Sequence, residues 1–204
     1  MNNETTDNKT TNNDRVALIL DEWFGQPGDD GKPTAATRER WFKKDPAFDA
    51  HLRANYSDDV RRALAGDYDD WTETARGALA LVILLDQMTR NIFRDSAEMY
   101  CGDDRTVACT LEAIESGLDT VLSLPERQFF YMPLMHAEDV ALQDRCLEVF
   151  QRLVDEGGAD VMGYARSHRD IVARFGRFPH RNALLGRAST AEELAFLTQP
   201  GSSF

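Results

Sequence analysis

The stretch Ala78–Arg94, ALALVILLDQMTRNIFR, restricts what this chain can fold into more than any other. Its first half would be apolar on every side of a helix, so it has to be surrounded by other elements. The apolar run Ala78–Leu85 is far shorter than the ~20 residues a bilayer span needs. It therefore reads as the middle of a protein core. A helix is expected from Thr74 to about Ile92, and the rest of the chain must supply the layers that cover it.

Those layers also read as helices. Strict apolar–polar alternation is rare, whereas apolar residues recur at helical spacing throughout. Asp14 is placed to cap a helix over Arg15–Phe24 that ends at Gly25. GQPGDDGKPTAAT, rich in Gly and Pro, is a loop. Further helices are expected over Thr37–Lys43, from about Pro46, over Asp58–Ala65, and as a short turn at Trp71. Others follow over Arg105–Ser116, after Leu124 with Pro125 in the first turn, over Glu138–Val154 and over Asp160–Phe175 up to Gly176. The last is Thr190–Leu197, where Ser189 and Glu192 match a capping box. Short connections between so many helices favour stacked antiparallel hairpins, as a compact all-α array or a short solenoid. A disordered tail at residues 1–13 and a single all-helical domain over 14–204 complete the expected organisation.

Charge narrows the function classes. The formal net charge of −12 disfavours nucleic acid and anionic membrane surfaces as partners. The three cysteines, Cys101, Cys109 and Cys146, form neither a CxxC pair nor a disulfide framework and suit a reducing cytoplasm. The N-terminal MNNETTDNKTTNND has no apolar run and is not a signal peptide. A soluble cytoplasmic protein is expected. No phosphate-binding loop, dinucleotide fingerprint, nucleophile elbow or strong metal motif is present, and no cofactor is indicated.

Polar residues interrupt the core pattern in three places. Asp86, Gln87, Arg90, Asn91 and Arg94 fall within an arc of about 140° on an ideal helix. They could wall a pocket, or simply mark where the helix meets solvent. In YMPLMHAEDVALQ, Pro133 fits a first helical turn, and His136, Asp139 and Gln143 then share one face with Glu138 beside it. Such a cluster suits acid–base work, or equally the capping of a helix start. The third place is ARFGRFPHRN with its run-up. His168 lies on the apolar stripe of the preceding helix, and Gly176 stops that helix. From Arg166 to Arg187 there are six arginines against one acid, Asp170, so this segment is net +5 while the rest of the chain carries −17. Arginine without lysine suits planar pairing with a carboxylate or phosphate, whether the protein's own or a ligand's.

The motifs WFKKDPAFD, LALVILLDQMTRNIFR, FFYMPLMHAEDVALQ and HRDIVARFGRFPHRNALLGRAST, with DEWFG and AEELAFL, resemble the bacterial family catalogued as domain of unknown function 924. The resemblance covers nearly the whole chain beyond the tail. It implies an all-helical fold similar to tetratricopeptide-repeat proteins, either a right-handed superhelix or a compact helical array, and it implies no assigned activity. The family pattern is matched at Asp86, Gln87, Arg90, Asn91, Arg94, His136, Glu138, Asp139, Gln143, His168, Arg174, Gly176, Arg177, Pro179, His180, Asn182, Gly186 and Arg187.

The three stretches are expected to converge on one site. His136, Glu138, Asp139 and His180 are the acid–base candidates. Asp86, Gln87, Arg90, Asn91, Arg94, Gln143, His168, Arg174, Arg177, Asn182 and Arg187 are the ligand-binding candidates, and no metal site is expected. Three readings stay open. The first is a pocket for a small anionic metabolite, with or without acid–base catalysis. The second is a helical-repeat module for a protein or peptide partner. The third is an internal arginine–acid network with no ligand.

Overall fold

The computed structural model describes residues 3–29 and 32–203. Ten α-helices are present among them: α1 (Asn3–Phe24), α2 (Ala35–Phe42), α3 (Pro46–Ala65), α4 (Ala75–Val82), α5 (Thr89–Ile92), α6 (Asp103–Ser116), α7 (Leu124–His136), α8 (Val140–Asp155), α9 (Met162–Phe175) and α10 (Ala191–Leu197). The described residues hold no strand, only an isolated bridge between Pro27 and Pro33 across the loop before α2. The fold is an all-α compact array in which sequence neighbours pack: α7 lies against α8, and α8 against α9.

The apolar run is central, as its composition requires. Thr74 caps α4 by accepting a hydrogen bond from Gly77 N at 3.1 Å. Every residue from Ala78 to Leu85 is at most 1% exposed. Between α4 and α5 the same helix passes through a π-helical turn, Ile83–Met88. The wider turn shifts the phase of everything after it. Two of its carbonyls receive side chains: Thr89 Oγ1 donates to Leu85 O at 2.9 Å, and Arg90 Nη1 donates to Asp86 O. At one end of the core Trp41 and Phe129 meet edge to face at 4.6 Å, and Trp23 and Phe24 each reach Phe129 at 5.6 Å.

Several boundaries differ from the sequence reading. The helical backbone of α1 extends past Asp14 to Asn3, and Val16 is the first buried residue among those whose side chains are described; residues 1 and 2 of the expected tail lie outside the described residues. One helix, α3, replaces the two expected over Pro46–Ala65. Ser57 Oγ bonds back to Arg53 O at 2.6 Å, so the polar Ser-Asp-Asp stretch stays inside the helix instead of capping a new one. Pro133 lies within α7 rather than in a first turn. α7 ends at His136, and α8 starts only at Val140, because Asp139 is extended and its carboxylate accepts from Leu142 N at 3.0 Å. His136, Asp139 and Gln143 therefore do not share one helix face. The last cap moves by one residue: Thr190 with Glu193 closes the box of α10, not Ser189 with Glu192. Glu193 is 2% exposed, and that inward carboxylate decides which acid closes the cap.

The end of the chain is attached differently from the rest. Ile171, Val172 and Phe178 form a small apolar cluster apart from the main core, supported by Phe175 and Phe196. Arginine–acid contacts supply much of the remaining attachment.

Candidate functional site

The chemistry gathers where the π-helical turn, the end of α7, the start of α6 and the turn after α9 meet. Asp86, fully buried on the π-helical turn, faces His136 on the last residue of α7. His136 Nδ1 is 2.8 Å from Asp86 Oδ1 and 3.1 Å from Oδ2. Gln87 Nε2 donates to Asp86 Oδ2, and Arg90 Nη1 lies 3.1 Å from Asp86 Oδ1. Arg90 Nη2 then donates to Asp103 Oδ1 at 3.0 Å, and Arg181 Nη1 reaches Asp103 Oδ2 at 3.1 Å. Arg181 Nη2 closes the group by donating to His136 O at 2.8 Å.

Electrostatics fixes the protonation pattern. Burial pushes the Asp86 carboxyl up, but the Arg90 cation and the contacts from His136 and Gln87 outweigh it and hold the group well below the usual carboxylate range. Asp86 is thus ionised and can only accept. Burial pushes the His136 imidazole down against the pull of Asp86, so the ring is neutral near pH 7. A neutral ring facing a carboxylate must carry its proton on Nδ1. Its Nε2 lone pair is then open, with no hydrogen bond among the described residues, on a side chain 15% exposed. An acid that orients a neutral imidazole in this way is the arrangement of a general base. Gln143 sets the position of the ring. Fully buried, it donates from Nε2 to Met135 O at 2.7 Å and to Ala137 O at 2.8 Å, tying down the turn after α7.

A second group adjoins the first. Glu138 accepts from Phe178 N at 2.7 Å and holds Arg187 at two points, Nη2 at 2.8 Å and Nη1. Burial works against the charge of Glu138, but these donors overcome it and lower its pKa. Arg187 Nε bonds Asn182 Oδ1 at 3.0 Å, and Asn182 Nδ2 bonds Ser189 Oγ at 3.0 Å. Phe178 stands between His168 and His180, each ring centroid 5.6 Å away. His168, buried as its stripe position requires, donates from Nδ1 to Tyr164 O at 2.8 Å and lies 6.3 Å from the His136 ring. Burial is the leading cause that brings His168 down to about 3 and His180 down to about 4.

The remaining candidates are held elsewhere. Asn91 and Arg94 turn to Asp49 of α3, Asn91 Nδ2 at 2.7 Å and Arg94 Nε at 2.6 Å. The single polar arc of the ideal helix is thereby divided between two neighbours. Arg177 grips Glu193 with Nε at 2.6 Å and Nη2 at 2.8 Å, and Arg174 pairs with Glu192. Asp139 is exposed and caps α8. The acid of His136 is Asp86, 50 residues away in sequence, rather than either acid of its own HAED motif.

Four participants were not singled out as site residues from the sequence. Asp103, after Gly102 at the start of α6, reads as an ordinary acid in a first helical turn. Gly102 itself is pressed against the π-helical turn: a Cβ there would lie 2.4 Å from Leu85 O. Tyr100 lies under the Arg181 guanidinium at 4.5 Å, and Arg181 appeared only as one arginine among six. Among the described residues no three His, Cys, Asp or Glu side chains are grouped as metal ligands. No helix among them is long and apolar enough to cross a membrane. A cleft lined by Leu20, Phe24, Pro27, Pro33, Arg76 and Glu126 lies elsewhere and includes none of the candidate residues.

Fold and site together define an all-helical domain with a buried carboxylate–imidazole pair held by Arg90 and Arg181. The chain belongs to the family described as bacterial protein of unknown function DUF924, whose model matches residues 19–201. Among solved structures it is similar to that of a protein of unknown function, ATU0120, from Agrobacterium tumefaciens. The two are 42% identical with a TM-score of 0.78, over 89% of this chain and 96% of the other. No curated protein matches the chain.

Proposed function

We propose that the protein binds a small anionic metabolite at the Asp86–His136 end of the array, with His136 as a general base. The observation that carries this is the pair itself. A fully buried, ionised carboxylate costs several kcal/mol of desolvation unless its surroundings repay it. Here the repayment leaves His136 Nε2 without a hydrogen bond among the described residues, on a ring 15% exposed, while the Arg90 and Arg181 cations hold Asp86 and the His136 carbonyl. The position of Asp86 on a π-helical turn supports the same reading, since such turns recur at functional sites. The hairpin of α7 and α8 and the packing of α9 on α8 support a superhelix similar to tetratricopeptide-repeat proteins, in one domain over residues 14–204. The free thiols of Cys101, Cys109 and Cys146 support a place in the cytoplasm.

A thermal-shift screen of anionic metabolites tests the binding. A ligand at ~100 times its Kd stabilises the fold by about 2.7 kcal/mol. That shift should disappear in Arg90→Ala and Arg181→Ala; a shift that survives both refutes the site. A second reading has its own observation. Arg94, Arg174, Arg177 and Arg187 each have an acid of the protein itself as partner. For the last three of these an internal ionic lock, fastening the last helices, accounts for much of the arginine-rich segment, while Arg94 binds Asp49 of α3.

A further inference from the structure

We infer that Asp103 occupies, from within the chain, the seat of a ligand's carboxylate, so that the site takes a carboxylic acid that displaces Asp103 from Arg90 and Arg181. The inference rests on the reading of the Asp86–His136 end as a ligand site. Arg90 and Arg181 come from distant parts of the sequence, yet they meet on this one carboxylate. Each takes one oxygen, at 3.0 Å from Arg90 Nη2 and 3.1 Å from Arg181 Nη1. The occupant of the seat is itself a carboxylate, and one guanidinium to each of its oxygens is a pairing that a ligand carboxylate reproduces atom for atom.

Neither arginine depends on Asp103 for its position. Arg90 is fixed by the carbonyl and carboxylate of Asp86. Arg181 is fixed by His136 O and by the rings of Tyr100 and Phe178, at 4.5 Å and 4.7 Å from its guanidinium carbon. The cradle is therefore preorganised and persists when Asp103 leaves. It also has donor capacity to spare, because the buried Nε of Arg181 has no hydrogen-bond partner. Asp103 is held much more loosely. The two arginines are its only side-chain partners among the described residues, and burial together with the nearby Asp86 charge works against its ionised form. Its side chain stays 17% exposed at the rim, so rotation about Cα–Cβ takes the carboxylate to water. Gly102, pinned on Leu85, keeps the backbone in place meanwhile. The Arg90–Asp86 pair lies between this seat and His136, which bonds the same Asp86 Oδ1 that Arg90 approaches.

Isothermal titration with malonate and with inorganic phosphate tests this on the full chain. An internal competitor lowers apparent affinity in proportion to the time the seat is filled, so a seat about nine-tenths filled makes Asp103→Ala bind malonate about tenfold more tightly than the wild type. Adding Arg181→Gln should abolish the gain, and phosphate should show none. Asp103→Asn, which preserves the shape, should move in the same direction if the alanine variant folds poorly. Equal malonate affinity in wild type and both variants, still dependent on Arg181, would overturn the role of Asp103 and leave the ligand site standing. No binding of malonate to any of them would overturn both. An equal gain for phosphate would overturn the carboxylate class.

Discussion

Acidification from about pH 7.5 to about pH 5 should weaken this fold chiefly through His168 and His180. In the unfolded chain a histidine takes up its proton near 6.5; in the folded protein His168 waits until about 3 and His180 until about 4. Both are therefore neutral in the folded state across this window, and only the unfolded state gains protons. Stability is full above 6.5, falls as the pH drops through it, and levels off only below the folded values. At about 1.36 kcal/mol per pH unit, each histidine costs about 2 kcal/mol by pH 5, and the two together about 4 kcal/mol. For a chain of this length that lowers Tm by roughly 10 °C. The neutral His136 acts in the same direction. The carboxylates with lowered values, among them Asp49, Asp86, Glu138 and Glu193, add most of their loss at lower pH, as it falls through their ordinary 3.8 and 4.5. Urea unfolding at several pH values measures the loss directly. His168→Phe removes one titrating group while keeping an aromatic ring against Phe178, and should cut the pH-dependent loss by about 2 kcal/mol. A wild-type stability that stays flat down to pH 5, or a His168→Phe variant that retains the whole loss, would refute the placement of these rings in the apolar cluster.

Three other outcomes follow from the geometry. Gly102→Ala drives a methyl into Leu85 O, 2.4 Å from the ideal Cβ, and should cost about 1–3 kcal/mol in urea midpoint experiments. Arg187→Ala strips Glu138 of two hydrogen bonds, half-buried at 23% exposure, and should cost about 2 kcal/mol. Hydrogen exchange should then show the amides from Phe178 to Leu197 opening before those of α4. Asp86→Asn leaves Arg90 with Asp103 as its remaining acid and should destabilise by about 2–3 kcal/mol. Nitrogen-15 spectra of His136 should report the Nδ1–H tautomer in the wild type and lose that fixed assignment in the variant.

The fold was legible because its signals are local. An apolar run closed to water on every side, stop residues such as Gly176, and helical spacing elsewhere dictate an all-α array whatever the tertiary details. The buried position of His168 followed from its stripe, and the motifs placed the chain in its family. The site was legible only in part. Asp86, Arg90 and His136 stood out as polar groups bordering core stripes, but their partners did not. A projection at 100° per residue assumes an uninterrupted α-helix, and the π-helical turn breaks that phase, sending Asn91 and Arg94 to Asp49 while Asp86 and Arg90 face α6 and α7. The HAED motif suggested one helix face, whereas Asp139 ends that continuity by capping α8.

Pairing among charges is the part that only the tertiary structure decided. A surplus of acids offers each arginine many partners of equal chemistry, and Coulomb attraction has no sequence register. Which carboxylate faces which guanidinium depends on backbone approach: Gly102 lying flat on Leu85 brings Asp103 to Arg90, and the turn at Phe178 brings Arg181 to the same carboxylate. The sequence by itself determined that there would be helices, a buried central one, and arginines near its polar end. Only the packing of those helices decided that His136 would answer to Asp86 and not to the acids beside it.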